Sequence, residues 1–282
     1  MSFKTITAYL DDSGDSEARL EGACKLADHY GAHLDTLAMT QRIVAYVATG
    51  IGAADAAGLD FSQMEEARQT AQALAAKAGN VLSARGLLGD PRWISQEIFG
   101  LREAAGVFGR QSDLVIVGQP TEDHNAFLRE SVFEGALFFS GRPVLVLPSY
   151  WMGPAVMKNI VVAWDASKEA ARALSDAAEF IAKAEKIKII IVDPKPGRKG
   201  FGEDPGNEIA TVLARHCNDV ELDRIPSGGR SVAQALLTRA TDFSADLIVM
   251  GGYGHSSLRE SWFGGVTQEM LQTTTFPLLL SH

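Results

Sequence analysis

The internal repeat of this chain constrains its fold more than any other feature. The segment KTITAYLDDSGDSEARL from Lys4 aligns without gaps with KNIVVAWDASKEAARAL from Lys158. The identical pairs include Ile6 with Ile160, Asp11 with Asp165, Ser13 with Ser167 and Leu20 with Leu174. Two later blocks recur in the same order, DLVIVG from Asp113 as DLIVMG from Asp246 and LRESVFEG from Leu128 as LRESWFGG from Leu258. Such a repeat predicts two copies of one folding unit.

The two copies are predicted to form domains at residues 1–150 and 155–282. A chain of 282 residues, of which 46% are hydrophobic, has enough apolar material for two cores of roughly 140 residues each. Between the copies, SYWMGPAVM contains Gly153 and Pro154 and shows no periodicity, so it is predicted to be the linker.

Composition excludes several classes of partner. The net charge of -9 and the pI near 5.2 argue against nucleic acid, because phosphate backbones are bound by clustered Lys and Arg. No window approaches the roughly 18 consecutive apolar residues of a membrane span, and the start MSFKTITAYLDD lacks a signal peptide pattern. Cys24 and Cys217 lie far apart without metal-type spacing, so neither a disulfide nor a structural metal is predicted. We expect a cytoplasmic protein without a membrane or nucleic-acid partner.

Short β-branched runs alternate with longer amphipathic stretches, which is typical of βαβ units around a parallel sheet. The fold class predicted is therefore α/β, with two tandem domains that each contain a five-stranded, mostly parallel sheet flanked by helices. In the second copy the predicted strands cover residues 160–164, 187–192, 220–225, 247–250 and 277–280, and the predicted helices cover 168–184, 207–216, 231–243 and 266–273. The first copy follows the same plan, with an insertion rich in alanine and glycine from Ala48, a long helix over 61–84 and a third strand around 92–96.

A glycine-rich stretch, GGYGHSSLRESWFGG, covers residues 251–265 and follows the fourth strand of the second copy. Open α/β sheets bind ligands at the carboxyl ends of their parallel strands, where this stretch begins. Gly251, Gly252 and Gly254 allow a sharp turn and a close approach of the backbone. Gly264 and Gly265 precede a predicted helix whose N-terminal amide groups suit an anion. The stretch is therefore a candidate phosphate loop, and the alternative is that its glycines serve only the turn.

Other glycine signatures fit this stretch less well. The chain has no GxxxxGK[ST] segment of a P-loop. Gly252 and Gly254 lack the third glycine of a GxGxxG fingerprint and follow the fourth strand rather than the first. A Rossmann dinucleotide site is therefore not predicted.

The spacing of Gly251, Gly254 and Gly264 resembles the nucleotide loop of universal stress protein domains. In that loop, glycine, two residues, glycine, nine residues and glycine are followed by serine or threonine. The second copy is also similar to the family at Asp165, which ends the first strand in VVAWDAS, and at Val192, which ends the second strand. Because the likeness covers both copies, the chain resembles a tandem universal stress protein, with two such domains in one polypeptide.

The resemblance implies a role for each matching residue. In nucleotide-binding members, the first-strand aspartate and second-strand valine lie at the adenine and ribose end, and the glycine loop and its following hydroxyl hold the phosphates. The implied cofactor-binding residues are Asp165, Val192, Gly251, Gly254, Gly264, Gly265, which stands where the family has a hydroxyl, and Thr267. Thr267 is the candidate substitute for that hydroxyl. The implied ligand is ATP, or ADP or AMP, with Mg as an accompanying ion.

The first copy departs further from this pattern. Its loop, GQPTEDHNAFLRESVFEG, retains Gly118 and Gly135 but has Glu134 at the position of Gly264. A carboxylate there, together with Glu122 and Asp123 in the loop, is expected to repel phosphate. The first copy is therefore not predicted to bind ATP, and whether it holds another ligand or is a structural partner stays open.

Several polar residues have a structural interpretation beside a functional one. Asp165 is suited to capping the helix that begins near Ser167, a role compatible with ligand contact. Asp11, Asp12 and Ser13 in the first copy are interpreted as helix caps alone. The arginine of each LRES block, Arg129 or Arg259, is interpreted as forming a surface or interdomain ion pair.

Each copy ends in an apolar run after a proline, RPVLVLP and FPLLLSH. An apolar edge strand is an aggregation hazard unless it is paired, and in the family these last strands pair between domains. Residues 144–147 are therefore predicted to pack against 278–280 in an intramolecular pseudo-dimer of the two domains with a pseudo-two-fold axis. Whether two chains dimerise further stays open.

The sequence contains no GxSxG elbow and no HExxH pair, so no catalytic residue and no metal-ligating set is predicted. The resemblance implies a cytoplasmic universal stress protein that binds an adenine nucleotide in its C-terminal domain. It would act in stress response through conformation or partner binding rather than through rapid turnover. The alternatives are a nucleotide-independent interaction or small-ligand-binding module, and a slow ATPase.

Overall fold

In the computed structural model the chain packs into two compact units, Phe3–Arg142 and Pro143–His282. The structure describes residues 2–42, 53–120, 125–195, 197, 203–253 and 265–282. We call these units the first and the second unit. Each contains a twisted sheet flanked by helices, so the α/β fold predicted from the sequence is confirmed.

The first unit contains a parallel sheet with the strand order β3-β2-β1-β4. Its elements are β1 (Thr5–Leu10), α1 (Ser16–Tyr30), β2 (His33–Arg42), α2 (Ala53–Arg85), β3 (Pro91–Glu97), α3 (Ile98–Gly109), β4 (Leu114–Gly118), α4 (Ala126–Glu134) and a π-helical turn (Gly135–Phe139). Strands β1 and β4 are buried almost throughout, which explains their continuous apolar sequence. Helix α2 buries a stripe of small residues that includes Ala71, Ala75 and Ala78, and it packs on β2 and β3.

The second unit contains a sheet with the strand order β5-β10-β9-β6-β7-β8. Its elements are β5 (Val144–Leu147), β6 (Asn159–Ala163), α5 (Lys168–Asp176), α6 (Ala178–Ile181), β7 (Lys186–Val192), α7 (Asn207–Leu213), β8 (Val220–Ile225), α8 (Val232–Asp242), β9 (Leu247–Gly251), α9 (Gly265–Thr273) and β10 (Leu278–Ser281). All neighbouring strands are parallel except β5 and β10. The predicted helix over 168–184 is interrupted at Ala177, which separates α5 from α6.

Strands β5 and β10 pair antiparallel, with Val144 opposite Leu280 and Val146 opposite Leu278. Both strands are fully buried, so neither apolar run is an exposed edge. The predicted pairing of these strands is confirmed, whereas the pseudo-dimer of domains built on it stays a prediction. The second unit begins at Pro143, so it includes β5, the fifth strand of the first copy. The sequence predicts a domain boundary after this strand, at 150–155.

The aspartate that begins the DL block has the same structural role in both copies. In the first unit, Asp113 Oδ2 accepts hydrogen bonds from the amides of Lys4 and Thr5 at 2.7 and 3.0 Å. In the second unit, Asp246 Oδ2 accepts bonds from the amides of residues 158 and 159, both at 2.9 Å. Each aspartate therefore fixes the start of the first strand of its copy against the start of the fourth.

Each sheet has a point where the strand order reverses, and such points open a crevice at the carboxyl ends of the strands. In the first unit this point lies between β1 and β4, and in the second unit between β6 and β9. We call these the first crevice and the second crevice. Within the described parts of the chain, no helix is both long and apolar enough to cross a membrane.

Candidate functional site

Three strands end side by side at the second crevice. Ala163 on β6 lies level with Ile190 on β7 and Met250 on β9. Asp165 and Val192 follow two residues beyond this level, and Gly251 follows one residue beyond it. The parallel register therefore brings these three predicted site residues to one edge of the sheet.

Asp165 is exposed and shapes the turn between β6 and α5. Its Oδ1 accepts a hydrogen bond from the Ser167 amide at 3.0 Å, and Ala166 between them has a φ of 59°. Ser167 is the N-cap of α5, because its hydroxyl accepts a bond from the Ala170 amide at 3.0 Å. Asp165 thus supports the residue before the helix rather than capping the helix itself, and its carboxylate stays accessible.

Val192 is half-buried at the end of β7, opposite Ile225 of β8. The next residue, Asp193, is exposed with a φ of 48°, and its Oδ1 accepts a bond from the Ser227 amide at 3.0 Å. Hydrogen bonds from Ser227 hold the pKa of the Asp193 carboxyl below its usual value. Sequence reasoning missed Asp193, although its place directly after a parallel strand was a usable signal.

Gly251 ends β9, where it pairs with Ser281 of β10. A Cβ at this position would lie 2.5 Å from the Ala170 nitrogen and 2.7 Å from the Glu169 carbonyl carbon. Both atoms belong to the backbone of the first turn of α5, which has little freedom to move away. Glycine is therefore needed here for close packing of the strand end against the start of the helix.

Helix α9 begins at Gly265, which is exposed, and a Cβ there would meet nothing within 4 Å among the described residues. Thr267 is buried in the first turn of this helix, and its Oγ1 accepts a bond from the Tyr253 amide at 3.4 Å. The Thr267 hydroxyl therefore already supports the loop, and its role as a phosphate ligand stays a prediction. Gly254 and Gly264 lie outside the described residues.

The first crevice contains the equivalent aspartate and glycine but is filled by arginine side chains. Arg19 Nη1 donates to Asp11 Oδ2 at 3.0 Å and to the Tyr9 carbonyl at 2.9 Å. Arg129 Nε donates to Asp11 Oδ2 at 3.2 Å, and its Nη2 forms an ion pair with Asp15. All four charged side chains are at most 6% exposed.

The buried charges change the acidity of both aspartates. Burial alone would raise the pKa of Asp11, but Arg19 and Arg129 outweigh it and, with a bond from Ser13, hold this pKa well below its usual value. At Asp15, burial is likewise outweighed by a hydrogen bond from Ser13 and by the two guanidinium groups, so its pKa is also lowered. Both carboxyls are therefore ionised at neutral pH.

Two interpretations made from the sequence are wrong in the first unit. Asp11 and Ser13 do not cap α1, whose N-cap is Asp15 without a side-chain cap bond, and Asp12 accepts a bond from Asn125 Nδ2 at 2.8 Å. Arg129 is not a surface or interdomain residue, because its partners are buried in its own unit. Periodicity did not reveal this, since Asp11 and Arg129 are separated by 118 positions in the chain.

Of the acidic groups that were expected to repel phosphate in the first copy, the structure describes Glu134, which is paired with an arginine. Glu134 is buried and forms an ion pair with Arg102 of α3. Burial raises the pKa of Glu134, Arg102 opposes the rise and Glu130 adds to it. Glu122 and Asp123 lie outside the described residues. The observed obstacle to a ligand in the first crevice is the pair of arginines.

Residues 157–282 match the model of the universal stress protein family. A universal stress protein from Archaeoglobus fulgidus shares the fold with a TM-score of 0.63 at 19% identity, over 98% of this chain and 95% of that one. A putative universal stress protein from Pseudomonas aeruginosa has a TM-score of 0.55 at 17% identity, over 99% and 93% of the two chains.

A functionally unknown protein from Pseudomonas aeruginosa also has this fold, with a TM-score of 0.56 at 16% identity over 99% of this chain and 92% of that one. A search of curated proteins finds no match. The structural likeness covers both copies of the repeat, whereas the family match covers the second. Residues 157–282 are therefore similar to the universal stress protein family, and the whole chain shares its fold with the universal stress protein from Archaeoglobus fulgidus.

Proposed function

We propose that the second crevice binds an adenine nucleotide, and that the protein is a cytoplasmic stress-response protein that acts through conformation or partner binding. The observation that supports this most is that no described residue lies within 4 Å of a Cβ placed at Gly265, at the start of a nine-residue helix. The first amides of a helix have no partners within the helix, and the helix dipole favours an anion beside them. A phosphate group meets both conditions.

The described residues fit such a ligand. Gly251 brings the strand end against α5 without a side chain, and Asp165 keeps an exposed carboxylate at the adjacent strand. At the position of Arg19 the second copy has Ala173, so the second copy lacks the counterpart of that guanidinium group. Asp165 and Val192 would hold the base and sugar, while Gly251, Gly254, Gly264 and Gly265 would surround the phosphates. Mg would accompany the phosphate oxygens, which are the hard ligands it prefers.

We propose that a nucleotide acts in this crevice as a ligand that biases conformation rather than as a rapidly consumed substrate. Slow hydrolysis remains a separate activity, measured as phosphate release with ATP and Mg.

The test uses two isosteric variants at the open position, Gly265→Asp and Gly265→Asn. A Cβ at residue 265 meets no described atom within 4 Å, and both residues are favourable at a helix start, so both variants should fold. The carboxylate should repel phosphate and weaken binding by at least about tenfold, whereas the amide should leave binding within about threefold of wild type. Calorimetric titration with ATP, ADP and AMP measures the difference, and native mass spectrometry of the purified protein identifies any retained nucleotide.

The outcomes separate the proposal from its rivals. Equal affinity in both variants would refute a phosphate at α9. No binding to the wild type would refute the proposed function and favour a nucleotide-independent interaction module. Binding accompanied by steady phosphate release would favour the slow ATPase. Binding that distinguishes Asp from Asn, without release, supports the proposed function.

A further inference from the structure

Two arginine side chains occupy the first crevice, and we call Arg19 and Arg129 the arginine plug. The equivalence of the two crevices follows from the repeat, in which Asp11 corresponds to Asp165 and Gly118 to Gly251. What differs is the group that packs on the glycine. At Gly251 it is the backbone of α5, and at Gly118 it is a guanidinium group.

Arg19 lies directly on the end of β4. A Cβ at Gly118 would be 2.6 Å from Arg19 Cζ, 2.7 Å from Nη2 and 2.8 Å from Nε. The face of the guanidinium therefore packs against the glycine at a distance that no other residue type allows. Arg19 Nη2 also approaches Asp15 Oδ1 at 3.5 Å, so this group links β4, the end of β1 and the start of α1.

The second arginine closes the remaining side. Arg129 on α4 donates from Nη1 to the Gln119 carbonyl at 3.0 Å, in addition to its ion pairs with the two aspartates. Two carboxylates and two guanidinium groups balance in charge, as buried ions must. The space left beside them is about 10 Å³, which is about the room needed for one water molecule.

We propose that the arginine plug is an internal occupant that permanently closes the first crevice. The crevice stays closed only while Arg19 is present. The first unit then holds its strand ends and helix start together without any ligand, and its conformation does not depend on nucleotide. This proposal stands whether or not the second crevice binds a nucleotide.

The first experiment measures hydrogen exchange of the full wild-type chain with and without millimolar ATP. Peptides within 5–20 and 112–120 report the first crevice, and peptides within 160–175 and 245–253 report the second. We expect ATP to leave exchange in the first set unchanged. Protection of the first set by ATP would overturn the proposal. A change in hydrogen exchange of the second set alone supports the arginine plug and also supports nucleotide binding at the second crevice. The two proposals can therefore fail separately.

The second experiment removes the plug and replaces it chemically. Arg19→Ala in the full chain should lower the unfolding temperature by roughly 10 °C, because it leaves buried carboxylates short of a counter-ion. Ethylguanidinium, which is the deleted part of the side chain, should recover most of that loss at millimolar concentration. Ethylurea is the neutral control of the same shape and should recover little.

Arg19→Met separates charge from volume in this experiment. Its side chain refills the space, so ethylguanidinium should not stabilise it. Saturable rescue of Arg19→Ala by the cation alone supports the plug. Equal effects of the cation and ethylurea, or unchanged stability of Arg19→Ala, would overturn it. If Arg19→Ala fails to fold, refolding with each compound applies the same criterion.

Discussion

The two crevices share a fold, an aspartate after the first strand and a glycine at the end of the fourth strand, yet they differ in what fills them. In the first, Asp11 is buried and neutralised by Arg19 and Arg129. In the second, Asp165 is exposed and accepts a bond from the Ser167 amide. The same backbone therefore supports a closed, charged core in one copy, whereas among the described residues of the other copy the equivalent aspartate is exposed.

The difference depends on one position of the first helix. Residue 19 falls on the buried face of α1, and its counterpart on α5 is the fully buried Ala173. The arginine of the LRES block is common to both copies, as Arg129 and Arg259, so it does not distinguish them in sequence; Arg259 lies outside the described residues. In the first copy, side chains of the chain itself thus occupy the crevice at the strand ends.

The largest effect is expected from removing Arg129, which forms ion pairs with both aspartates and also donates to the Gln119 carbonyl. Arg129→Ala leaves Asp11 and Asp15 with Arg19 as their only remaining partner in the plug, and breaking a buried ion pair in this way costs about 3 to 5 kcal/mol of unfolding free energy. Urea denaturation of the full chain measures the loss. Increased hydrogen exchange should concentrate in the first unit.

The matched control for this variant is a surface pair in the same unit. Arg68 and Glu65 on α2 form an ion pair with both side chains about half exposed, so Arg68→Ala should change the urea midpoint little. If both substitutions had equally small effects, the buried network would not be the stabilising feature of the first unit.

The comparison can also be reversed by giving the second copy a plug. Ala173→Arg introduces a guanidinium at the position of Arg19, and Asp165 and Glu169 stand at the positions of Asp11 and Asp15. If the second crevice binds a nucleotide, this change should weaken binding by at least about 100-fold, because the side chain would occupy the ligand's space. Calorimetric titration with ATP measures the change.

Ala171→Arg is the control on an exposed position of the same helix. It adds the same charge without entering the crevice, so affinity should stay near that of the wild type. Loss of binding in both variants would attribute the effect to charge on α5 rather than to occupation of the crevice.

A third prediction concerns acid. Because the folded-state pKa values of Asp11 and Asp15 lie below those of the unfolded chain, their ionisation stabilises the first unit above about pH 4, and this stabilisation is lost as pH falls through the folded values. The urea concentration at the unfolding midpoint of the wild type should therefore be lower at pH values below 4 than at pH 7. Asp11→Asn should be less stable at pH 7 but show a smaller fall, and an identical pH profile in the two proteins would contradict this assignment.

The sequence was sufficient to predict the strands of the sheets, because local and periodic signals agree in those segments. The apolar runs of β1, β4, β6 and β9 correspond to buried parallel strands, and the repeat ordered them correctly. The pairing of β5 with β10 was predicted from the apolar character of both runs together with the family resemblance. The resemblance also supplied Asp165, Val192 and Gly251, which the parallel register brings to one edge of the sheet, and their role as ligand contacts stays a prediction.

The arginine plug was harder to predict from the sequence, because Arg129 is distant in the chain from the aspartate that it contacts. Arg19 reads as an ordinary polar residue of a helix, and its contacts depend on how α1 and α4 pack on the sheet. One signal was available: residue 19 lies three and four positions from Ser16 and Ala23, which are on the buried face of α1. An arginine on such a face requires buried acidic partners.

The smallest expected effect sharpens the comparison at the open crevice. Gly265→Ser restores the hydroxyl that the family resemblance leads one to expect, and the site has room for it. A hydroxyl hydrogen bond to a charged phosphate oxygen contributes about 1.5 kcal/mol, so ATP should bind about tenfold more tightly. AMP, which lacks the outer phosphates, should gain less. Gly265→Ala adds the Cβ without the hydroxyl and should bind as the wild type does. Equal gains for ATP and AMP would show that residue 265 does not contact the outer phosphates, and would assign that contact to another group such as Thr267.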